Sequence, residues 1–185
     1  MGVDIRRDEQ LDAAFELRIA NLAVEPIPYE SGMFGSVSAF DFIEHVPRVL
    51  RSVSDHRATV FPFIELMNEI WRVLAPGGRL YALTPCYPAG EIFQDPTHVN
   101  FITDQTHNYF AGDYPWGRMY GYKGLFRLIR AERVCWRDGF EPMVPLTTKQ
   151  RWRHFRYSLQ GRLTHIVWEF ECRKPSTGSL HGSEA

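Results

Sequence analysis

Pro62-Phe63-Ile64-Glu65-Leu66-Met67-Asn68-Glu69-Ile70-Trp71-Arg72-Val73-Leu74-Ala75-Pro76-Gly77-Gly78-Arg79-Leu80-Tyr81-Ala82-Leu83-Thr84 is the stretch that decides the fold. Pro62 suits the first turn of a helix, where a missing N–H costs nothing. Phe63, Leu66, Met67, Ile70, Trp71 and Leu74 recur at helical spacing on one face, which predicts a helix over 62–74. Pro76-Gly77-Gly78 stops it. Arg79 to Thr84 then reads as a buried strand ended by Pro85. Upstream, Ser36 to Phe40 is a small apolar strand that empties into Asp41. Strand, helix, strand in this order implies a right-handed crossover joining a parallel pair.

The remaining elements extend that unit. Gly2-Val3-Asp4-Ile5 reads as a short strand ended by an acid, Arg7 to Phe15 as a turn or two of helix, and Glu16 to Leu22 as a further strand stopped by Pro26 and Pro28. Glu132 to Trp136 and Thr164 to Cys172 complete the sheet. In the second of these, Val167, Glu169 and Glu171 alternate with Ile166, Trp168, Phe170 and Cys172. The expected fold class is α/β with a mostly parallel sheet whose last strand is antiparallel. Residues 1–174 form one domain, and 175–185, polar and rich in Gly and Ser, form a disordered tail.

The 185 residues suffice for one core, and 44% hydrophobic with 23% charged residues is ordinary for a globular chain. A net charge of −1 gives no broad pull toward nucleic acid or anionic membrane, and no apolar run is long enough to span a bilayer. The acidic and basic start lacks the apolar core of a secretory signal. Three cysteines, Cys86, Cys135 and Cys172, without a Cys-x-x-Cys pair, argue against a disulfide framework or zinc knuckle and fit a reducing, cytoplasmic compartment. Aromatic residues crowd 93–131, which reads either as a substrate-facing cap or as aromatics that pack a small lid onto the sheet.

Ligands of open parallel sheets sit beyond the carboxyl ends of the strands. Asp4 is placed there and could accept both hydroxyl protons of a ribose, or merely cap a turn. Asp41-Phe42-Ile43-Glu44-His45 lies at the next strand end, where Glu44 and His45 are expected chiefly to bond loop backbone. Two sharper readings compete: His45 as a general base, or Asp41, Glu44 and His45 around a divalent metal. Asp95-Pro96-Thr97-His98 follows. Asp95 could orient His98 as a proton acceptor, or Asp95 and Thr97 could cap a turn with His98 packed on the sheet. Cys86 is expected to be a small buried hydrophobe. No phosphate-binding loop, serine elbow or His-Glu-x-x-His motif occurs.

These blocks, in this order, resemble the middle and end of a class I S-adenosylmethionine-dependent methyltransferase, a Rossmann-like fold. The resemblance implies S-adenosylmethionine as cofactor, a methyl acceptor that is a small molecule or glycan-like and is modified at O or N, and cofactor contacts from Asp4, Ile5, Asn21, Leu22, Phe40 and Asp41. Asn21 stands where the family carries an acid that accepts from the adenine amino group; its amide carbonyl could accept the same bond without charge. His45, Asp95 and His98 are the implied catalytic residues. Some subgroups bind metal through Glu-x-x-Glu-His; here the first acid is Asp41, one methylene shorter, and no metal ligand is assigned. The family's strand order is 3-2-1-4-5-7-6. Its first strand and glycine-rich loop have no counterpart here, so the chain reads as truncated at its N-terminus, a fragment of a longer protein. The alternative is a non-catalytic pseudo-methyltransferase that binds a partner through a sheet edge or its aromatic cap. A homo-oligomer is compatible with either.

Overall fold

A computed structural model describes residues 1–5, 16–52, 55, 57–140 and 147–174. The expected helical turns at 7–15 and the tail at 175–185 lie outside these residues. In chain order the elements are β1 (Gly2–Asp4), β2 (Leu17–Ile19), β3 (Phe34–Phe40), β4 (Leu50–Arg51), β5 (Thr59–Val60), α1 (Pro62–Val73), β6 (Leu74–Pro85), β7 (Phe126–Val134), α2 (Thr148–Leu159) and β8 (His165–Cys172).

The helix forms as its sequence dictates. Pro62 sits in the first turn, Glu65 faces the positive end and Arg72 the negative end of the helix dipole. Leu66, Met67, Ile70 and Val73 are at most 2% exposed and build the core against the sheet. Trp71, expected on the buried face, is only half-buried; its indole Nε1 donates to the Arg173 carbonyl at 3.0 Å. The polar side of α1 is also employed. Glu69 accepts from the Ile27 amide at 2.9 Å, and Arg72, bonded to Glu69, donates to the Ile27 and Tyr29 carbonyls at 2.8 Å each. This pair fixes the loop between β2 and β3. After the helix, Gly77 takes a left-handed φ of 76°, and a Cβ on Gly78 would lie 3.0 Å from both the Ala75 and Phe34 carbonyl oxygens. The two glycines thus allow β6 to run close beside β3.

β3 and β6 pair in parallel, Val37 opposite Leu80 and Phe40 opposite Leu83. β8 enters antiparallel between β6 and β7, giving the order β3-β6-β8-β7. Three of these strands therefore run one way and the last in sequence runs against them. Both flanks and both faces of β8 are covered, so His165 to Phe170 are all buried, and the predicted alternation does not become an inside and an outside face. The strand expected at 132–136 begins earlier, at Phe126, and Trp136 belongs instead to a 3-10 turn over Trp136–Phe140.

β1 and β2 form a separate parallel pair. If β1 and β2 are matched to the expected second and third strands, and β3, β6, β8 and β7 to the fourth, fifth, seventh and sixth, the order within each group is the expected one, and among the described residues no strand joins the two groups. Among the described residues, one edge of β3 carries no partner strand.

Candidate active site

The carboxyl ends of β3 and β6 lead into the site. At the end of β3, Asp41 adopts a left-handed φ of 46°, which Asp tolerates better than most residues, and the chain swings into a single 3-10 turn, Ile43–His45. That turn points Glu44 inward. At the end of β6, Thr84 is buried and donates its hydroxyl to Glu44 Oε2 at 2.9 Å. The following loop comes back across the turn. Val99 and Asn100 both donate backbone N–H to the Glu44 carbonyl at 2.9 Å. Buried Asn100 donates its amide to the Ile43 carbonyl at 2.9 Å and accepts from Arg48 Nε at 2.7 Å. The segment Phe93–Phe101 is thereby pinned over the Glu44–His45 turn.

Two cavities flank this segment. The polar one, about 410 Å³, is lined by Asp41, Glu44, His45, Glu91, Asp95, His98, Trp136 and His165. The apolar one, about 590 Å³, is walled by aromatics, among them Phe61, Phe93, Phe101, Tyr109, Trp116 and Tyr120. Phe61 and Tyr120, and Tyr109 and Trp116, meet edge to face.

Glu44 is fully buried. Thr84 satisfies one carboxylate oxygen, and the other, Oε1, has no hydrogen-bond partner among the described residues. Burial pushes its carboxyl above the ordinary glutamate value, while its own backbone, Thr84 and His45 pull the other way. His98 Nε2 stands 4.0 Å from Oε1. The His45 and His98 rings meet edge to face with centroids 4.8 Å apart. Thr97 donates its hydroxyl to Asp95 Oδ1 at 2.6 Å and lies 2.9 Å from His45 Nδ1. His98 Nδ1 lies 3.1 Å from the Ile92 carbonyl.

Of the two readings of the Asp-Pro-Thr-His block, the structure forms the turn cap: the Asp95 carboxylate accepts from the Thr97 amide and hydroxyl, and that hydroxyl oxygen lies 2.9 Å from His45 Nδ1. Glu44 bonds loop backbone through its carbonyl, as expected, while its side chain meets Thr84 and that of His45 meets Thr97. Asp41 accepts from Trp136 Nε1 at 3.0 Å and faces His165 Nε2 at 3.7 Å. Burial lowers the His165 pKa, against the pull of Asp41. Thr84, Trp136 and His165 were not singled out by sequence; Thr97, inside the Asp-Pro-Thr-His block, was read as a turn cap.

The predicted cofactor residues fall in two groups. Asp4 and Ile5 leave β1 beside Asn21 and Leu22, with the Ala20 amide donating to the Asp4 carbonyl at 3.0 Å. The Asn21 side-chain carbonyl accepts from the Ala23 amide at 3.2 Å, a turn-capping bond. Neither this group nor Phe40, whose ring packs on Phe140, lines the polar cavity; Asp41 does. Cys86 is fully buried, and burial raises its thiol pKa.

No family model matches the sequence, and no curated protein does. Among solved structures, the chain resembles an S-adenosylmethionine-dependent methyltransferase from Archaeoglobus fulgidus, with a TM-score of 0.56 at 13% identity over 92% of this chain and 74% of that one. It also resembles a chain from the complex between the Haloferax volcanii Trm112 methyltransferase activator and its candidate methyltransferase, with a TM-score of 0.50 at 11% identity. That match covers 86% of this chain and 62% of the other, less than two thirds of its length. The chain has the Rossmann-like α/β fold of class I S-adenosylmethionine-dependent methyltransferases.

Proposed function

From that fold we propose that the protein transfers a methyl group from S-adenosylmethionine to an oxygen or nitrogen of a small-molecule or glycan-like acceptor. The observation that carries this reading is the polar cavity of acids and imidazoles at the carboxyl ends of β3 and β6, where ligands of such sheets bind. In-line methyl transfer asks mainly for alignment and for a group that meets the acceptor's proton. His45 and His98 line the cavity to meet it, and Asp95 steadies His45 through Thr97. The aromatic cavity lies inside the roughly 300–1,000 Å³ range of small-molecule sites and suits the apolar body of an acceptor. Of the segment 93–131 expected to form a cap, residues 93–125 would then serve as the acceptor cap, because 126–131 belong to β7.

The cofactor would supply the activated methyl group. Its adenosine half would be held at the end of β1 and β2. An exposed carboxylate on Asp4 matches two ribose hydroxyls, and Ile5, with the half-buried Leu22, offers apolar surface to a base. Asn21 retains a second lone pair beyond its turn bond. Phe40 and Asp41 would face the methionine half.

One observation favours the second reading, a non-catalytic module: the two groups of cofactor residues belong to two separate sheets. Calorimetric titration of the 185-residue chain with S-adenosylmethionine decides between them. Saturable binding, lost in Asp4→Ala, is expected for the enzyme. No heat at millimolar cofactor would leave the non-catalytic module standing.

A further inference from the structure

We propose that Glu44, His45 and His98 form a binding site for a first-row divalent transition-metal cation such as Zn²⁺ or Mn²⁺. One ligand atom from each of the three lies within 4.8 Å of the other two, at the polar cavity.

For neutral imidazoles the hydrogen-bond pattern assigns the ring proton of each histidine. The Ile92 carbonyl can only accept, so His98 Nδ1, 3.1 Å away, carries the proton. His98 Nε2 of the neutral ring is therefore a bare acceptor, and it faces Glu44 Oε1. Thr97 spends its single hydroxyl proton on Asp95 Oδ1 at 2.6 Å. Its oxygen must then accept from His45 Nδ1, which makes His45 Nε2 a bare acceptor too. Glu44 Oε1 is buried and receives no hydrogen bond from the described residues, although Thr84 satisfies its twin.

A ligand atom from each of three side chains thus lies within 4.8 Å of the others, and among the described residues no hydrogen bond satisfies Glu44 Oε1. An unmet buried carboxylate oxygen is costly, and two imidazole lone pairs beside it add repulsion instead of relief. A cation between them turns each of these defects into a coordination bond. The outer partners fit the same purpose. Ligating histidines hand their second ring N–H to a carbonyl or carboxylate, which fixes tautomer and ring orientation. His98 does so to the Ile92 carbonyl, and His45 does so to Asp95 through Thr97.

Donor chemistry sets the class of metal. Two imidazoles and one carboxylate suit Zn²⁺, Mn²⁺ or Fe²⁺, whereas Mg²⁺ and Ca²⁺ favour all-oxygen sites. Three protein ligands leave coordination positions for a ligand in the cavity. The ligand set is not the one the sequence raised, since Asp41 is engaged by Trp136 and His98 takes its place. Any use of the cation in methyl transfer rests on the function proposed above; its binding does not.

The test is therefore titration of the full chain with the cation alone, without cofactor or acceptor. The chain is first dialysed against chelator, and binding of ZnCl₂, MnCl₂ and MgCl₂ is followed by calorimetry. One equivalent of Zn²⁺ or Mn²⁺ is expected, bound at least tenfold more tightly than Mg²⁺. His98→Ala and Glu44→Gln should each weaken binding by a factor of 10 or more. His165→Ala, which lines the same cavity outside the triad, should leave it unchanged. Should Glu44→Gln fail to fold, His45→Gln, at a half-buried site, replaces it, with circular dichroism as the check. Absence of saturable binding, binding that favours Mg²⁺, or binding undiminished in the triad variants would each overturn the site. A chain that binds Zn²⁺ but not S-adenosylmethionine would keep the site and remove the enzymatic reading.

Discussion

At the scale of single residues, the site depends on side chains that satisfy one another inside the protein. Thr84 illustrates this. Its hydroxyl donates to the buried Glu44 carboxylate at 2.9 Å. Thr84→Val keeps the shape and removes the donor, so urea unfolding should show a loss of about 1–3 kcal/mol. An unchanged midpoint would mean that Glu44 finds another partner. The sequence identified the chemistry-bearing types at this scale, Glu44, His45, Asp95 and His98, because strand ends and short polar blocks advertise themselves. It did not identify their partners. Thr84 looks like any β-branched strand residue, and Trp136 like core, until the fold sets them against Glu44 and Asp41. Nor could spacing reveal that Asp95 serves His45 across 50 residues of chain rather than its near neighbour His98; that depends on how the loop lies over the 3-10 turn.

At the scale of elements, α1 does two jobs with two faces. Its apolar face packs the sheet, and Glu69 with Arg72 fastens the loop between β2 and β3. The hydrogen bonds from Arg72 hold the Glu69 carboxyl below its ordinary value of 4.5. A carboxyl whose folded pKa is depressed stabilises the fold above its unfolded pKa and loses that contribution as pH falls through the folded value. Glu69→Gln should therefore cost about 1–2 kcal/mol at pH 7, and the gap from the unaltered protein should close as pH is lowered below 4.5. Thermal melts of both proteins between pH 3 and 7 measure it, and a gap independent of pH would remove the ion pair as the cause. α1 was legible because a buried stripe imposes a helical period. α2 went unread for the opposite reason: it buries no residue, so no stripe marks it. Its readable sign was the Thr147-x-x-Gln150 capping box, which the structure forms. β4 and β5, two residues each, are too short for any pattern.

At the scale of the whole molecule, the blocks occur in the order of a methyltransferase sheet, and among the described residues β1 and β2 pair with each other and not with β3. Composition could not have revealed this; the succession of blocks did. One consequence is measurable. Among the described residues, β6 and β8 are flanked on both sides while β3 has one neighbour. Native-state hydrogen exchange should thus protect β6 and β8 amides most and release the unpaired edge of β3 sooner. Equal protection across all three strands would show that a further strand covers that edge in solution. A last consequence follows from the segment Phe93–Phe101. Phe93 and Phe101 line the aromatic chamber, while Asp95 and His98 line the polar one, so the two rooms share a wall. A guest that swells the first room presses on the histidine furnishing the second. Where such a guest shifts that wall, occupancy on one side alters affinity on the other, and thermodynamic reciprocity requires the influence to run both ways with equal strength.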